Sequence, residues 1–400
     1  MGHRDQRSAR RGSIGTFALF YRLGLYAVEF GVVGVLPTIT ERYGVSVAHA
    51  GWLVGFFALI VAVVGPFMVL WLSRFDRRKV LVAALLGFSL CSLLSAWASS
   101  FNMLMVLRVP SALLHPVFFS AAFAAAVALY PPEQATQATA RALVGTSMGL
   151  VIGVPLTTWI EATISYEASF YFCALVNLIA AIGLWLMLPA QSSEGAAQQG
   201  SVSSVLRKPA IWYSIGATVA IFGAMFSVYS YAAEYLGRIT GFSSQTISLL
   251  LFVFGIGGVA GNLLAGRLLG RWQAMTVLGY PLTLAMAYLL LLMLGSSDMA
   301  TMLPIGLLWG AAHTSGLVVC QIWLGSAATE APEFATSLFV SSANFGTVCA
   351  SSVSGWFIAT WGMPGTLVSG WSFAAVGVAF ILLRIVTGHV CDRQRMQACS

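Results

Sequence analysis

Residues 14–38 read IGTFALFYRLGLYAVEFGVVGVLPT, an apolar stretch that follows an Arg-rich start. It is long enough to cross a bilayer, which takes about 20 apolar residues in a helix. Arg22 and Glu29 nevertheless lie inside it, although a charge at the bilayer centre costs about 2.5–3.5 kcal/mol on insertion scales. Arg22, Tyr26 and Glu29 are spaced to share one helical face. The stretch therefore predicts a membrane helix that turns Glu29 toward a central pathway.

The composition of the whole chain indicates an integral membrane protein. Of its 400 residues, 58% are hydrophobic and 8% are charged, and the mean hydropathy is +0.86. Soluble domains carry about 25% charged residues, so this chain could not cover itself with a water-compatible surface. The net charge of +7 does not indicate nucleic-acid binding, because most basic residues lie in short segments between apolar stretches. The six cysteines have no CxxC spacing, so neither a disulfide framework nor a metal site is expected.

Twelve apolar spans are separated by Pro, Gly and charged residues, and we number them spans 1 to 12. They are 14–38, 47–71, 80–99, 102–130, 135–160, 167–189, 210–234, 243–270, 273–295, 300–325, 333–360 and 364–387. Only helices or closed barrels satisfy the backbone in lipid, and spans of this length mean helices. The first span lacks a small-residue cleavage site and is too long for a signal-peptide core, so we expect it to be retained.

The two halves of the chain repeat each other. PEQAT at 132–136 recurs as PEFAT at 332–336, and His115 in span 4 has a counterpart in His313 of span 10, at a nearly constant separation. The predicted fold is an all-α membrane protein of 12 transmembrane helices in two pseudo-symmetric six-helix bundles. The N-half is 14–189 and the C-half is 210–387. A cytoplasmic segment at 1–13, a linker at 190–209 and a tail at 388–400 complete the predicted division. Such repeats suit a transporter with its site between the halves.

The distribution of Lys and Arg predicts the topology. With both termini in the cytoplasm, Arg42 and Arg238 fall outside, and only Arg22 and Arg108 lie within the membrane. Cytoplasmic loops carry the excess of basic residues in membrane proteins. We therefore expect a multi-pass protein of the inner (cell) membrane with cytoplasmic N- and C-termini.

Glu29 and Arg108 form the predicted proton-coupling pair. At a rise of 1.5 Å per residue, they lie at similar depths, about 12 and about 9 Å below the outer ends of spans 1 and 4. A nearby guanidinium favours the ionised carboxylate, whereas desolvation favours the protonated form, and a proton-coupled switch needs this competition. A static pair that locks two helices is the alternative, and Arg22 is expected to snorkel to the headgroups.

His115 and His313 lie at mid-span in symmetry-related helices. Histidine titrates near neutral pH and could relay protons or bind substrate, or each could be a packing residue. Further polar and aromatic groups would suit a pocket for a small amphipathic molecule, or belong to packing or the interfacial belt. These are Tyr26, Tyr229, Tyr231, Trp309, Gln321 and Asn344.

Glycines in span 5 predict a close helix contact. Regularly spaced small residues make a smooth face, which serves as a hinge or gate between the halves or as plain packing. The residues are Gly145, Gly149, Gly153 and Pro155, with a shorter version in span 8 at Gly257 and Gly261.

The basic loop SRFDRRKVL at 73–81 contains Arg74, Asp76, Arg77 and Arg78. It is either a positive-inside anchor only, or a loop that makes conformation-dependent contacts. No Walker-type loop, HExxH or GxSxG motif is present. We therefore expect no enzyme activity and no cofactor, with a proton gradient as the energy source.

Several stretches together resemble a known family. They are EFGVVGVLP at 29–37, YGVSVAHAGWLVG at 43–55, Arg108 with HPVFFS at 115–120, GTSMGLVIGVP at 145–155, TGFSSQTISLLL at 240–251 and GNLLAGRLLGR at 261–271. With them the chain resembles the major facilitator superfamily. More narrowly, it is similar to the twelve-helix drug/proton antiporter family, in the branch of arabinose-efflux, purine-nucleoside-efflux and chloramphenicol-resistance permeases.

The resemblance implies that spans 1, 4, 7 and 10 line a cavity, that the Gly/Pro motif of span 5 marks antiport, and that Arg108 matches an Arg linked with proton coupling. The chain also departs from the family. In the basic loop, Ser73 replaces an Asp and Asp76 replaces a Gly, Pro116 stands where Gly is usual, and SYEAS at 165–169 replaces a Gly-Trp-Arg cluster.

The sequence thus predicts a secondary transporter that couples protons to efflux of a small organic molecule (drug, sugar or nucleoside class) by alternating access. Import or uniport without proton coupling is the alternative within the transporter class, and a non-transporting membrane sensor is the alternative outside it. The expected partners are the lipid bilayer, a small-molecule substrate and protons, without nucleic acid, and the chain is expected to be monomeric.

Overall fold

The computed structural model describes residues 31–72, 75–128, 152–187, 202–330 and 332–398. Within these ranges the regular structure is helical and contains no strand. In the N-half the helices are Leu36–Tyr43, Val47–Ala50, Trp52–Leu72, Arg77–Ser95, Phe101–Ala128, 152–163 and Tyr166–Met187. In the C-half they are Val202–Leu206, Pro209–Tyr229, Ala232–Tyr235, a π-helix at Leu236–Thr240, Ser244–Leu294, Met299–Gly325, Pro332–Trp361 and Gly365–Ala398. Eight helices of the described chain are long and apolar enough to cross a membrane.

The same turn joins spans 1 and 2 in the N-half and spans 7 and 8 in the C-half. Gly44 and Gly241 end the preceding helices with φ of 61° and 71°, a left-handed conformation that glycine adopts without steric cost. Two residues later, Ser46 and Ser243 cap the next helix, because each side chain accepts a hydrogen bond from a backbone N–H of its first turn. The similar stretches RYGVS at 42–46 and RITGFS at 238–243 therefore form the same turn in the two halves.

Spans 8 and 9 form one continuous helical segment, Ser244–Leu294, with a sharp kink. Trp272 has φ −139° and ψ 61°, which no helical residue adopts, so the segment reverses there. The predicted break between 270 and 273 falls at this residue. Span 7 is interrupted in a similar way near Tyr231, whose backbone (φ −117°, ψ 17°) separates helix Pro209–Tyr229 from helix Ala232–Tyr235.

The two halves meet at the end of the bundle that carries the Gly44 and Gly241 turns, which we call the closed end. Two hydrogen bonds join span 5 to span 8 there. Ser248 Oγ donates to the Pro155 carbonyl at 2.7 Å, and Gln245 Nε2 donates to the Ala162 carbonyl at 3.2 Å. Spans 2 and 11 also pack together near this end, because Gly55 lies directly against the Ser351 side chain.

Contact between spans 2 and 11 continues only part of the way along the bundle. Val340 packs against Phe57 and Val61 near the middle of span 2. Farther from the closed end, Phe67 is 70% exposed and Trp71 is 57% exposed. Among the described residues, the contacts between the halves lie from the closed end to the middle of span 2.

Candidate functional site

Arg108 is the charged side chain that the structure buries within span 4. It lies two turns into the helix that begins at Phe101, and it is 8% exposed. Its Nε donates to the Leu53 carbonyl of span 2 at 2.9 Å, and its guanidinium lies 5.0 Å from the centre of the Phe57 ring. The carbonyl and the ring's π face both favour the cation, which offsets part of the cost of burying it.

Several residues of the predicted site lie outside the described residues, so their roles stay predictions. They are Arg22, Tyr26 and Glu29 of span 1, Gly145 and Gly149 of span 5, and Arg74 of the basic loop. The pairing of Glu29 with Arg108 is therefore also still a prediction.

His115 lies two helical turns beyond Arg108 on the same helix, and it contacts the same phenylalanine. Its ring meets the Phe57 ring edge-on, with centroids 5.6 Å apart, and stacks on Phe119 at 6.3 Å. Phe57 of span 2 thus lies between the guanidinium and the imidazole of span 4. The sequence reasoning did not include Phe57, and its apolar surroundings in span 2 carry no signal that would single it out.

An aromatic cluster brings three predicted residues of the C-half together. The His313 ring lies 4.6 Å from the Tyr229 ring, 5.5 Å from Phe226 and 5.3 Å from Phe254. Phe254 also stacks on Tyr229 at 5.2 Å and meets Trp309 edge-on at 4.9 Å. We call Phe226, Tyr229, Phe254, Trp309 and His313 the C-half aromatic cluster.

Two members of this cluster were missed at the sequence level. Phe226 precedes Tyr229 by three residues, so helical spacing already places the two on one face of span 7. Phe254 lies in span 8, and only the packing of span 8 against spans 7 and 10 brings it to His313. No feature of the sequence around Phe254 indicates that contact.

Tyr231 is separated from the aromatic cluster by the break in span 7. It is fully buried at the closed end, where its hydroxyl donates to the Ser351 carbonyl of span 11 at 3.2 Å. The same hydroxyl fills the space beside Gly51 of span 2, where any Cβ would overlap it. Tyr231 therefore lies at the junction between the halves.

The predicted residues Gln321 and Asn344 are both half-buried and are not members of the C-half aromatic cluster. Gln321 follows His313 by two helical turns in span 10. Asn344 in span 11 donates from Nδ2 to the carbonyl of Val340 one turn earlier, at 2.9 Å. This bond leaves the Asn344 side-chain oxygen as an acceptor.

The glycines of span 8 and the Gly/Pro residues of span 5 make contacts of two kinds. Gly257 and Gly261 lie against the backbone of span 10, where an added Cβ would overlap the carbonyls of Leu307 and Ala311. That contact is within the C-half. In span 5, Gly153 and Pro155 lie on the buried side, and the Pro155 carbonyl belongs to the junction between the halves.

The described part of the basic loop begins span 3 and anchors it to span 6. Asp76 accepts a hydrogen bond from the Lys79 N–H at 3.0 Å and so caps the helix. Arg78 donates to the Trp185 carbonyl and lies 4.3 Å over the Trp185 ring, while Arg77 is half-buried. The Asp that replaces a family glycine at position 76 therefore serves as the N-cap of span 3.

An ion pair outside the membrane-spanning segments joins the start of span 7 to the loop between spans 10 and 11. Lys208 Nζ lies 2.5 Å from Glu330 Oε1. This hydrogen bond lowers the pKa of Glu330 below its usual value, because the ammonium group favours the ionised carboxylate.

The arrangement is that of a membrane transporter built from two helical bundles. Residues 18–310 match the Major Facilitator Superfamily, and the chain belongs to this family of transporters, not to a class of enzymes. Among curated relatives, the inner membrane transport protein YdhP of Escherichia coli K12 is 29% identical over 360 residues, covering 90% of this chain and 92% of YdhP.

Solved structures show the same fold. A bacterial homolog of the human lysosomal transporter Spinster, in an inward-facing and occupied conformation, has a TM-score of 0.72 at 17% identity, covering 94% of this chain and 97% of that chain. A D-xylose-proton symporter has a TM-score of 0.69 at 18% identity, with coverage of 93% and 96%. The chain is therefore a multi-pass, all-α membrane protein with the major facilitator fold.

Proposed function

We propose that this protein exports a small organic molecule in exchange for protons, by alternating access to a site between its two halves. The observation that carries the proposal is the buried guanidinium of Arg108. A cation held inside a membrane bundle is costly, and such residues mark transport or proton pathways by default. Glu29 lies at a similar predicted depth in span 1 and would be the carboxyl that binds and releases the proton, tuned by Arg108.

The aromatic surfaces of the two halves support a small amphipathic substrate. The N-half contributes Phe57, His115 and Phe119, and the C-half contributes the aromatic cluster around His313. Flat aromatic side chains with a few polar groups are typical of small-molecule sites. The proposed lining is Tyr26, Glu29, His115, Tyr229, Trp309, His313, Gln321 and Asn344, and drug, sugar and nucleoside classes remain the substrates to test. Tyr231, which the sequence analysis also assigned to this lining, is packed at the junction between the halves in this conformation instead.

The distribution of charge supports an orientation in the membrane. Described basic residues at the end opposite the closed end include Arg77, Arg78, Lys79, Arg207, Lys208 and Arg384, whereas Arg42 and Arg238 lie at the closed end. By the positive-inside rule the closed end would face outward, both termini would be cytoplasmic, and this conformation would open inward. YdhP is named an inner membrane transport protein, and by similarity this protein would also reside in the inner membrane.

The test is proton release from purified protein in weakly buffered detergent when substrates of the three classes are added. We expect wild-type protein to release protons on binding a substrate, and the Glu29→Gln variant to bind it without release. Glu330→Gln is the matched control, because Glu330 is a carboxyl in an exposed loop, and it should release protons as wild type does. Substrate binding without proton release in the wild type would contradict proton coupling.

Import or uniport without proton coupling is the second candidate within the same fold. Uniport or import would use the same two halves, closed end and aromatic surfaces as proton-coupled export. Glu29 and Arg108 would then have only a structural or substrate-binding role. In proteoliposomes, uniport predicts that an imposed pH gradient leaves substrate flux unchanged. A non-transporting sensor predicts no flux under any gradient.

A further inference from the structure

A pocket of about 30 Å³ lies inside the N-half, lined by residues of spans 1, 3, 4, 5 and 6. The lining residues that the structure describes all belong to the N-half. Arg108 lines it together with a set of hydroxyl groups: Ser92, Ser95, Ser111, Thr157 and Ser169. A buried pocket with this many polar groups differs from the apolar packing elsewhere in the N-half core.

Three of the hydroxyl groups that line the pocket donate to backbone carbonyls of their own helices. Ser95 Oγ donates to the Cys91 carbonyl at 2.7 Å, Thr157 Oγ1 to the Gly153 carbonyl at 2.7 Å, and Ser169 Oγ to the Tyr166 carbonyl at 2.6 Å. Each hydroxyl thus uses its proton on its own helix and keeps lone pairs to accept another hydrogen bond. The Arg108 guanidinium, whose Nε bonds to the Leu53 carbonyl, lines the same space.

The size and polarity of the pocket match water. A cavity of roughly 10–15 Å³ can hold one water, and that water needs two to four polar partners. The pocket has room for about two waters on that basis. Polar cavities of this kind hold ordered water in folded proteins, whereas empty cavities are lined by apolar groups.

Two of the hydroxyl groups that line the pocket lie near the closed end. Ser95 is the last residue of helix Arg77–Ser95, and Ser169 lies in the first turn of helix Tyr166–Met187, both at the closed end. Arg108 is seven residues into its helix from Phe101, about 10 Å deeper at a rise of 1.5 Å per residue. The space between the halves is sealed at this same end by spans 2, 5, 8 and 11.

We propose that this pocket binds water and gives Arg108 a water path from the closed end, separate from the site between the halves. In a proton-coupled cycle, the path would let protons approach from one side of the membrane while the substrate site opens to the other. Only that consequence rests on the proposed function, because hydration of the pocket does not require transport.

The pocket's own thiols provide the test. Cys91 (8% exposed) and Cys173 (4%) line the pocket, whereas Cys320 (2%), which is also buried, lies in the C-half away from it. Brief X-ray irradiation generates hydroxyl radicals from water next to a side chain, and mass spectrometry measures the oxidation of each thiol. In purified full-length protein we expect Cys91 and Cys173 to oxidise severalfold faster than Cys320. Equal rates at all three thiols would mean a dry pocket and would overturn the proposal.

A filled pocket is the second arm of the test. Ser111→Val places methyl groups in the pocket beside Cys91 and should lower the oxidation of Cys91 and Cys173 severalfold, with Cys320 unchanged. Ser89→Val is the matched control, because Ser89 bonds to the Ala174 carbonyl and does not line the pocket. If Cys91 and Cys173 oxidise as fast in Ser111→Val as in Ser89→Val, the proposal is also overturned.

Proton release separates this proposal from the proposed function. If wild-type protein releases protons on substrate binding, Ser111→Val should slow the release severalfold at unchanged substrate affinity. Unchanged release in a variant whose thiols are protected would overturn the proton path. If wild-type protein releases no protons, the proposed function fails while radical oxidation still decides whether the pocket is hydrated.

Discussion

Phe57 of span 2 contacts both Arg108 and His115 of span 4. Its π face lies 5.0 Å from the Arg108 guanidinium and its ring meets His115 edge-on. A cation over an aromatic face contributes about 0.5–2 kcal/mol, the more so where water is excluded. A single apolar residue thus helps hold the charge of Arg108 inside the bundle.

Replacing Phe57 with leucine should weaken this support. Phe57→Leu keeps an apolar side chain but removes the π face, so we expect a loss of about 1–2 kcal/mol in unfolding free energy beyond the loss of ring packing. Phe88→Leu is the control, because Phe88 packs on Phe118 in the same half and no cation over its ring is described. Unfolding in detergent measures both, and equal losses would contradict a role for the cation.

The Lys208–Glu330 ion pair should make a pH-dependent contribution. Because the pair lowers the pKa of Glu330, its contribution is present above the usual carboxyl pKa and is lost as the pH falls through the lowered pKa. We expect wild type to unfold at a slightly higher temperature than Glu330→Gln at pH 7. The difference should shrink as the pH falls below the usual carboxyl pKa of about 4.3 and vanish once the pH is below the lowered pKa. A difference that does not shrink between pH 7 and about pH 2 would mean that the carboxylate charge is not its cause.

Glycine lets helices approach closely at two places in the C-half and at its junction with the N-half. Gly257 and Gly261 bring span 8 onto the carbonyls of span 10, and Gly51 makes room for the Tyr231 hydroxyl. The neighbours of Gly257 and Gly261 are backbone atoms, which cannot rotate away as a side chain can. Close contact through small residues replaces the hydrophobic driving force that helices lack within lipid.

Gly257→Ala should destabilise the C-half. Its Cβ would overlap the Leu307 carbonyl, and overpacking of this kind costs about 1–3 kcal/mol. Gly266→Ala in the same helix is the control, because no atom lies within 4 Å of its added Cβ and alanine is the better helix former. We expect the melting temperature to fall for the first variant and to hold or rise for the second. Equal melting temperatures would contradict the close contact.

Gly51→Ala should open the closed end instead of unfolding a half. The added methyl would displace the Tyr231 ring from the junction between spans 2, 7 and 11. Nitroxide labels at Thr163→Cys and Ile239→Cys report the distance between the halves at this end, in a background without the native cysteines. We expect a longer distance in Gly51→Ala than in the parent, and an unchanged distance would contradict the role of Tyr231 at the junction.

In the part of the chain that the structure describes, the contacts that join the halves lie at the closed end and along span 2 as far as its middle. Hydrogen bonds from Ser248 and Gln245 join the halves at the closed end, while Phe67 and Trp71 are exposed toward the other. These contacts are few and lie between rigid bundles, so a second arrangement of the same bundles would exchange them for contacts at the opposite end. Rocking of this kind is how repeat-built transporters alternate access.

Substrate should therefore change accessibility at the two ends in opposite directions. Ser351→Cys at the closed end is fully buried in this conformation, and Phe67→Cys lies where the side chain is exposed. With a water-soluble thiol reagent, we expect substrate to speed labelling of the first and slow labelling of the second. Parallel changes at both positions would contradict alternating access and would indicate general loosening of the protein.

Sequence alone determined the all-α membrane fold and the helix break at Trp272, because these follow from hydrophobic length and local backbone preferences. It also placed Tyr229, Trp309 and His313 in spans that meet. Only the tertiary structure brought Phe57 between Arg108 and His115, Phe254 to His313, and Tyr231 into the space beside Gly51. The physical reason is that lipid-facing and core-facing residues of a membrane helix are equally apolar. Hydrophobic pattern therefore cannot say which face of a span meets which neighbour, and close packing between helices decides it.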